Sequence, residues 1–395
     1  MNIGLVYIPP ENERFNRSFP SFPPLGIGYI SAYLNKNGKR VKVYDITSES
    51  DEWLTKQLYS DGVELVGFSV FSWNAPTFLR VAEKIKEENK DVTVIVGGPE
   101  PSYNPDKYFD LSFIDGVIRG EGETAFRKLA ERSNKINILG VRELYTRQNK
   151  SPIQIIRSLK KIPSPYLEKI FKTDKYHIFS FQTHRGCSKR CSFCRWQYPG
   201  SIRYYDLKQI VDELEYLSSI PNLYVLQCID ADFLHNPKYA AKILEELAER
   251  RVRFPQVNFE LNYESFNSKI GKLMSKVGES VLAAYGLETA SEKVQRTVNK
   301  VIDLSEFKNK IRETKKCGLK VQINLLLGLP YQNWDTVEET IEYTRELEPD
   351  RVVVNTVYWP KDEYTNKVGG DFYNLPPTEL EKAKEKIISI LKKGF

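Results

Sequence analysis

The chain has 395 residues, of which 41% are hydrophobic and 12% aromatic, so global disorder is excluded. Its net charge of +6 is small for this length, and we interpret it as a solvated Lys/Glu-rich surface, with no nucleic acid expected as a partner. No apolar stretch approaches the ~20 residues that a membrane span needs. The N-terminus lacks the features of a signal peptide, so we expect a cytoplasmic protein with reduced cysteines and two domains.

The first 130 residues alternate short apolar runs with amphipathic helical patterns. Helices are predicted at 25–37 and 77–89, among others. The predicted strands are 2–8, 40–44, 65–70, 92–96 and 116–118. This alternation is typical of an open, doubly wound parallel sheet, a Rossmann-like α/β domain.

The loops that follow these strands carry small or special residues. In doubly wound sheets, ligands bind beyond the carboxyl ends of the strands. Glycine and proline also occur in ordinary strand-to-helix turns, so a ligand site and plain turn chemistry are equal alternatives on the residues alone. The candidate residues are Leu25, Gly26, Ser69, Phe71, Gly97, Gly98, Gly120 and Glu121.

Residues 131–174 are predicted to be a connection. Segments 140–145 and 153–156 flank a polar turn and predict a hairpin. Pro163 and Pro165 then interrupt secondary structure and mark a domain boundary.

A second domain is predicted at 175–358. A helix opened by Asp206 as N-cap follows its first strand. The six predicted strands are 178–183, 223–230, 256–261, 281–288, 320–327 and 351–358. Six strand–helix repeats predict a partial (β/α)6 parallel barrel, with function at the carboxyl ends of the strands. A linker with Gly369 and Gly370 and a final helix with one apolar face fill 359–395.

Three of the five cysteines lie together after the first strand of this domain: Cys187, Cys191 and Cys194. Soft sulfur ligands select zinc or an iron–sulfur cluster. Structural zinc takes four ligands, for which His184 is the only nearby candidate. Three cysteines on a cluster would leave one iron with an open position. A catalytic cluster, a structural zinc site and an incidental loop are the alternatives.

The run, with Phe193 before its third cysteine, resembles the signature of the radical S-adenosylmethionine (radical SAM) superfamily. The resemblance implies that Cys187, Cys191 and Cys194 hold a 4Fe-4S cluster and that Phe193 lies beside SAM on the fourth iron. One electron, from a donor such as flavodoxin or ferredoxin, would cleave SAM to methionine and a 5'-deoxyadenosyl radical. That radical would abstract a hydrogen atom from the substrate.

Later segments resemble the same superfamily in the same order. Glu288 follows the fourth strand, and the resemblance places it on the SAM ribose or amino group, since a carboxylate accepts from vicinal hydroxyls. Asn299 and Lys300 follow as the family's Asn-Lys pair does. Gly328 and Pro330 resemble the Gly-Leu-Pro turn after the fifth strand, which implies a position near SAM.

The N-terminal sequences PPLGIGYI, VGGPE and RGEGE resemble the cobalamin-binding-type domain of class B radical SAM enzymes. The eight loop candidates above would then contact cobalamin. The Asp-x-His-x-x-Gly loop of better-known cobalamin proteins is missing, because His177, His184 and His235 all lie outside this domain. Two alternatives stay open: cobalamin held without a protein imidazole, and a degenerate domain without a corrin.

Two residues at the end of the second predicted barrel strand are candidates for catalysis. Asp230 stands where many radical SAM enzymes have Gly-Gly-Glu, and either positions SAM or substrate or caps a helix. Cys228 is either a hydrogen-atom donor or inert packing. The cations around the cysteines, which either tune a cluster, attract an anionic substrate or are simply solvated, are Arg185, Lys189, Arg190 and Arg195.

The resemblance as a whole implies a class B radical SAM methyltransferase that uses methylcobalamin to methylate an unactivated carbon in a small-molecule, natural-product or peptide substrate. The alternative is a non-methylating radical SAM enzyme, namely an isomerase, epimerase, oxidoreductase or transferase of another SAM fragment. A zinc or nucleic-acid-binding module would not account for two complete αβ domains.

Overall fold

The computed structural model describes residues 1–9, 22–46, 50–132, 140–194, 201–357 and 377–392. The chain separates into two compact units. The first comprises Met1–Ser180 and Tyr198–Leu223, and the second comprises Phe181–Gln197 and Tyr224–Phe395. Within the described residues, no helix combines the length and apolarity that crossing a membrane requires.

The first unit is built on a five-stranded sheet in the order β2-β1-β3-β4-β5, and every neighbouring pair is parallel. Its strands are β1 (Ile3–Tyr7), β2 (Val41–Asp45), β3 (Leu65–Ser69), β4 (Thr93–Gly97) and β5 (Gly116–Val117). The strand order reverses between β1 and β3, which in doubly wound sheets opens a ligand crevice at the carboxyl edge. The predicted Rossmann-like sheet is confirmed.

Helices cover both faces of this sheet. They are α1 (Leu25–Lys36), α2 (Asp51–Ser60), α3 (Ala75–Glu88), α4 (Pro99–Tyr103), α5 (Pro105–Phe109) and α6 (Glu123–Ala130). Successive strand residues point to opposite faces, so Val94 and Val96 join the core with Phe78 of α3. Ile95 joins the opposite core, with Phe126 of α6. The near-continuous apolar strands are the sequence signal of a sheet buried on both sides.

The predicted hairpin in the connection is wrong. Tyr145 bridges antiparallel to Val117 of β5, and Gln154 bridges parallel to Gly120 just beyond β5. β5 is the edge strand of the sheet and offers unpaired backbone groups, so these two segments bond to it. Short 3-10 turns follow at Leu159–Lys161 and Thr173–Lys175.

The second sheet has six strands in the order β13-β12-β11-β10-β9-β6. They are β6 (Ile178–Phe181), β9 (Val225–Cys228), β10 (Phe254–Leu261), β11 (Gly278–Glu288), β12 (Lys320–Leu327) and β13 (Arg351–Thr356), with two-residue strands β7 (His184–Arg185) and β8 (Arg203–Tyr204) between the first two. Strands adjacent in sequence are adjacent in the sheet, and the pairs from β9 to β13 are parallel, as in an open, partial barrel.

Helices alternate with these strands, as predicted. They are α7 (Leu207–Ser218), α8 (Pro237–Glu249), α9 (Ser268–Met274), α10 (Glu292–Thr297), α11 (Leu304–Lys316), α12 (Trp334–Leu347) and α13 (Pro377–Lys392). Asp206 caps α7 by accepting the N–H of Gln209, which confirms its predicted role. In the final helix Leu380, Ala383 and Ile387 are buried, whereas the linker with Gly369 and Gly370 lies outside the described residues.

Candidate active site

A cavity of about 510 Å³ lies in the second unit, at the carboxyl edge of its sheet. Parallel strands bring their following loops to one edge, so residues far apart in sequence share this wall. All three cysteines of the run line it, together with Phe193 and Glu288. Five of the residues predicted from the sequence therefore lie on the wall of one cavity.

The cysteine loop is held in place by the segment after α10. The Ser192 N–H donates to the Val298 carbonyl at 3.0 Å, and Asn299 Nδ2 donates to the Arg190 carbonyl at 3.0 Å. Phe193 packs against a small apolar cluster that includes Val298. Contacts on both sides of Cys191 thus fix the path of the loop.

The residues around the three thiols bear on the choice between a cluster and a single zinc ion. Among the described residues, no three His, Cys, Asp or Glu side chains converge on one metal position. His184, the candidate fourth zinc ligand, turns its Nδ1 toward Asp230 Oδ2 at 3.4 Å. In an iron–sulfur cubane each thiolate binds a different iron, so the three sulfurs need not surround a single point.

Asp230 is buried beneath the start of this loop. Its Oδ1 accepts the N–H of Thr183 at 2.8 Å, and its Oδ2 accepts the Thr183 hydroxyl at 2.5 Å. Burial lowers the pKa of His184, but the nearby Asp230 carboxylate outweighs it and leaves that pKa above its ordinary value. Asp230 therefore lies at the cavity with its carboxylate engaged by the residues that lead into the cysteine run.

Glu288 ends β11 in a left-handed conformation, with φ of 63°. The register shift between Gly286 and Glu288 turns its side chain into the cavity. Its Oε1 accepts from Lys300 Nζ at 2.8 Å. Burial lowers the pKa of Lys300, but the Glu288 charge overcomes this and raises it, so Lys300 keeps its positive charge.

Gly328 and Pro330 are buried in the turn after β12, and neither lines the cavity. Gly328 has φ of 84°, and its N–H donates to Gln332 Oε1 at 2.9 Å. A side chain there would lie 2.4 Å from the Val357 carbonyl oxygen. The geometry therefore explains Gly328 as a residue that the turn requires. The residue of β12 that lines the cavity is Asn324.

A row of polar side chains on the sheet was missed in the sequence. Glu260 Oε2 accepts from Asn324 Nδ2 at 3.3 Å, and Asn258 Nδ2 donates to Gln227 Oε1 at 3.0 Å. Burial raises the pKa of Glu260 to about 7, and the Glu288 charge adds to this. Polar residues at alternate positions of otherwise apolar strands were the available signal, because they share one face.

Cys228 is fully buried and lines the same cavity. Burial raises the pKa of its thiol well above the ordinary range, and the Asp230 charge adds to that effect. Asp232, two residues beyond Asp230, has a pKa raised by burial to about 6. Cys228 is thus a neutral thiol at the cavity wall, which is compatible with either alternative stated for it.

The cations around the cysteine loop have separate surroundings. Lys189 Nζ lies 2.6 Å from Glu264 Oε2, and both side chains are exposed. Arg185 Nε donates to Gln182 Oε1 at 3.2 Å. Arg190 is exposed, and Arg195 lies outside the described residues. Of the three alternatives for these cations, we therefore interpret Lys189 and Arg190 as solvated surface residues.

The candidate cobalamin loops meet at the carboxyl edge of the first sheet. Ser69 and Gly97 are register partners, and the Val70 N–H donates to the Gly97 carbonyl at 2.8 Å. Gly98 has φ of 105°, and a Cβ there would lie 2.6 Å from the Val70 carbonyl oxygen. Gly120 has φ of 83°, and its N–H donates to Ser102 Oγ at 2.8 Å. Glycine is required at both positions for the loops to approach this closely.

An apolar surface adjoins these loops. The ring of Phe71 stacks on Trp73, with centroids 4.5 Å apart and an interplanar angle of 15°. Trp73, which the sequence analysis did not select, is 53% exposed. Leu25 is buried, whereas Gly26 is exposed, and no atom of the described residues would lie within 4 Å of a Cβ there. An exposed, flat aromatic face fits a large planar cofactor such as a corrin.

Glu121 has partners within the first unit. It is buried, and its Oε2 accepts from Arg203 Nη1 at 2.7 Å and from the Ile156 N–H at 2.5 Å. These contacts hold the connection in place, and a contact of Glu121 with cobalamin stays a prediction.

Two family models match the chain. The model described as "B12 binding domain" matches residues 18–130, and the model described as "Radical SAM superfamily" matches residues 181–344. The first covers the sheet with the glycine loops, and the second covers the sheet with the cysteine cavity.

Relatives that match most of the chain extend the comparison. An uncharacterized methyltransferase of Pyrococcus horikoshii, PH0819, is 26% identical over 88% of this chain and 78% of its own length. The cobalamin-dependent radical SAM methyltransferase TokK of Streptomyces tokunonensis is 24% identical over 79% of this chain, which spans only 49% of TokK. The radical SAM methyltransferase TsrM of Kitasatospora setae, solved with cobalamin and a [4Fe-4S] cluster, superposes with a TM-score of 0.71 at 17% identity, over 90% of this chain and 72% of TsrM. TsrM has also been solved with its tryptophan substrate.

Proposed function

This chain belongs to the class B, cobalamin-binding radical SAM enzymes, and on that premise we propose that it transfers a methyl group from SAM, by way of cobalamin, to an unactivated carbon of a small-molecule substrate. The observation that carries the proposal is the combination of a three-cysteine cavity in one unit with a sheet edge in the other that carries the glycine loops and the exposed Trp73.

The bound groups would supply the reactive chemistry: a 4Fe-4S cluster with SAM provides a 5'-deoxyadenosyl radical, and cobalamin provides a transferable methyl group. The chain's own residues bind and orient. Cys187, Cys191 and Cys194 would hold the cluster, and the buried carboxylate of Glu288 would accept hydrogen bonds from SAM. With the bound groups in place, the cavity walls would have to keep water from the place where a radical would otherwise be quenched.

The first unit would contribute the corrin site. Ser69, Gly97, Gly98 and Gly120 lie on the loops at the carboxyl edge of the sheet, where doubly wound sheets bind ligands, and the stacked Phe71 supplies an apolar face. The domain lacks a histidine, so the proposed site holds cobalamin without a protein imidazole.

The names of the relatives support methyl transfer over the non-methylating alternative, since PH0819, TokK and TsrM are all named methyltransferases. The tryptophan bound to TsrM supports a small molecule as the substrate class. We include in the proposal a one-electron donor of the flavodoxin or ferredoxin class, because the reductive cleavage of SAM consumes one electron.

Anaerobic reconstitution with iron, sulfide and hydroxocobalamin, followed by SAM and titanium(III) citrate, tests the proposal. We expect the desalted protein to retain corrin and to produce both S-adenosylhomocysteine and 5'-deoxyadenosine. The Cys191→Ala variant is the matched control and should yield no 5'-deoxyadenosine. Release of all corrin, with 5'-deoxyadenosine as the sole SAM product, would instead establish the non-methylating alternative.

A further inference from the structure

The segment Val298–Lys300 brings a lysine against the cysteine loop. Val298 and Asn299 bond to the backbone on either side of Cys191, at Ser192 and Arg190. Asn299 has φ of 53°, a left-handed conformation that turns the chain back toward the cavity. Lys300 follows directly and lines the cavity.

The ammonium group of Lys300 has a built position. Its Nζ and the Oε1 of Glu288 occupy the space over Gly286, where a Cβ would lie 2.6 Å and 2.3 Å from them, respectively. The side chains of Lys300 and Glu288 are 24% and 11% exposed. Lys189, the other described lysine on the cavity wall, pairs instead with an exposed glutamate.

Lys300 shares the cavity wall with all three cysteines as well as with Glu288. The contact between the Ser192 N–H and the Val298 carbonyl holds the segment before Lys300 against the cysteine loop. One ammonium group therefore lies in the same cavity as the carboxylate proposed to bind SAM and the three proposed cluster ligands.

We propose that Lys300 is a positioning residue that stabilises the reduced cluster, so raising its reduction potential, and that holds the Glu288 carboxylate in place for SAM. The inference rests on the proposed function. Reduction adds one electron, and hence one negative charge, to the cluster from a low-potential one-electron donor, and no bond forms or breaks. A fixed cation in a poorly solvated site favours the more negative state.

The test is an EPR-monitored redox titration of the reconstituted protein. We expect Lys300→Met to shift the midpoint potential of the cluster to a more negative value and to weaken SAM binding at least tenfold. Lys300→Arg keeps the charge and should remain close to wild type. Lys308→Met is the matched control, because Lys308 pairs with exposed Glu346 at 2.7 Å on the surface.

The midpoint potential of Glu288→Gln should shift in the opposite direction, since the Lys300 charge is then uncompensated. A wild-type potential in Lys300→Met with full iron content would overturn the inference, as would loss of iron from both Lys300→Met and Lys300→Arg. Loss of iron from Lys300→Met alone would support a need for the charge. Failure of the wild-type protein itself to bind a cluster would reject the proposed function, a result distinct from any of these.

Discussion

Asp230 Oδ2 accepts the Thr183 hydroxyl at 2.5 Å, while Asp230 Oδ1 accepts the Thr183 backbone N–H at 2.8 Å. The two residues follow neighbouring strands, β9 and β6, and both are buried. This contact fixes the point at which the chain leaves β6 for the cysteine run. It gives Asp230 a role that the sequence left undecided between ligand binding and helix capping.

We expect Asp230→Asn to lower the iron content of the reconstituted protein and to destabilise it by about 1–3 kcal/mol, the usual cost of breaking a buried hydrogen-bond pair. Thr183→Val removes only the hydroxyl contact and should show a smaller loss of the same kind. Iron per chain and thermal unfolding measure both effects. Full iron content with weakened SAM binding in Asp230→Asn would instead assign Asp230 to SAM.

The buried ion pair between Arg203 and Glu121, in the first unit, predicts that mutations of the two residues have strongly coupled effects on the free energy of unfolding. Either Arg203→Met or Glu121→Gln leaves one buried group without its partner, which typically costs about 3–5 kcal/mol. The double variant should lose less than the sum of the two single changes. Chemical denaturation of all four proteins measures the coupling free energy, and strictly additive losses would show that the pair does not interact in solution.

Gly26 and Gly98 predict opposite outcomes in the proposed corrin site. Gly98→Ala places a Cβ against the Val70 backbone at positive φ, so we expect lower stability. Gly26→Leu places a side chain on an exposed helix position where no described residue lies within 4 Å of the Cβ, so the fold should persist while corrin retention falls. The absorbance of retained corrin, normalised to protein, measures this. Equal retention by wild type and Gly26→Leu would remove Gly26 from the site.

The affinity for SAM should rise with pH. Burial raises the pKa of Glu260 to about 7, so its carboxyl is largely neutral at pH 6 and largely negative at pH 8. A negative charge in the cavity attracts the sulfonium cation of SAM, so the Kd should fall severalfold across this range. Glu260→Gln should flatten the profile, whereas Glu264→Gln, an exposed control, should preserve it. Equilibrium dialysis at constant ionic strength gives the dependence of Kd on pH for the wild-type protein and for each variant.

Glu213 on α7 predicts a pH-dependent stability. Burial raises its pKa from 4.5 to about 7, although Ser164 opposes the shift. The unfolded chain releases the proton first, so stability is lost as pH rises from about 4.5 to 7 and stays low above. Glu213→Gln should therefore be more stable than wild type by about 2–3 kcal/mol at pH 8 and similar near pH 5. Melting temperatures that differ equally at both pH values would contradict this.

Regular periodicity made most of the fold predictable. Fully apolar runs such as Thr93–Gly97 and amphipathic stretches such as Ala75–Glu88 gave strands and helices to within a few residues. The hairpin at 140–156 was not predictable, because local pattern cannot show that an edge strand elsewhere offers better partners. Pairing across the chain is a tertiary property.

Site residues could be predicted where the residue type and spacing have few structural explanations. They could not be predicted where the role depends on residues that are distant in the sequence. Three clustered cysteines have few explanations, whereas nothing local in the sequence shows that Arg203 lies beside Glu121. Glu260 and Lys300 acquire their roles only from the strand order, which sets them in one cavity with Glu288. The pattern of polar residues on alternate strand positions was the one signal for Glu260.

The metal content of the anaerobically reconstituted and desalted protein tests the central claim most directly. We predict about four iron atoms and about one cobalt atom per chain, with iron lost from Cys191→Ala and cobalt retained. A wild-type chain that holds about one zinc atom, with neither iron nor cobalt, would contradict the account.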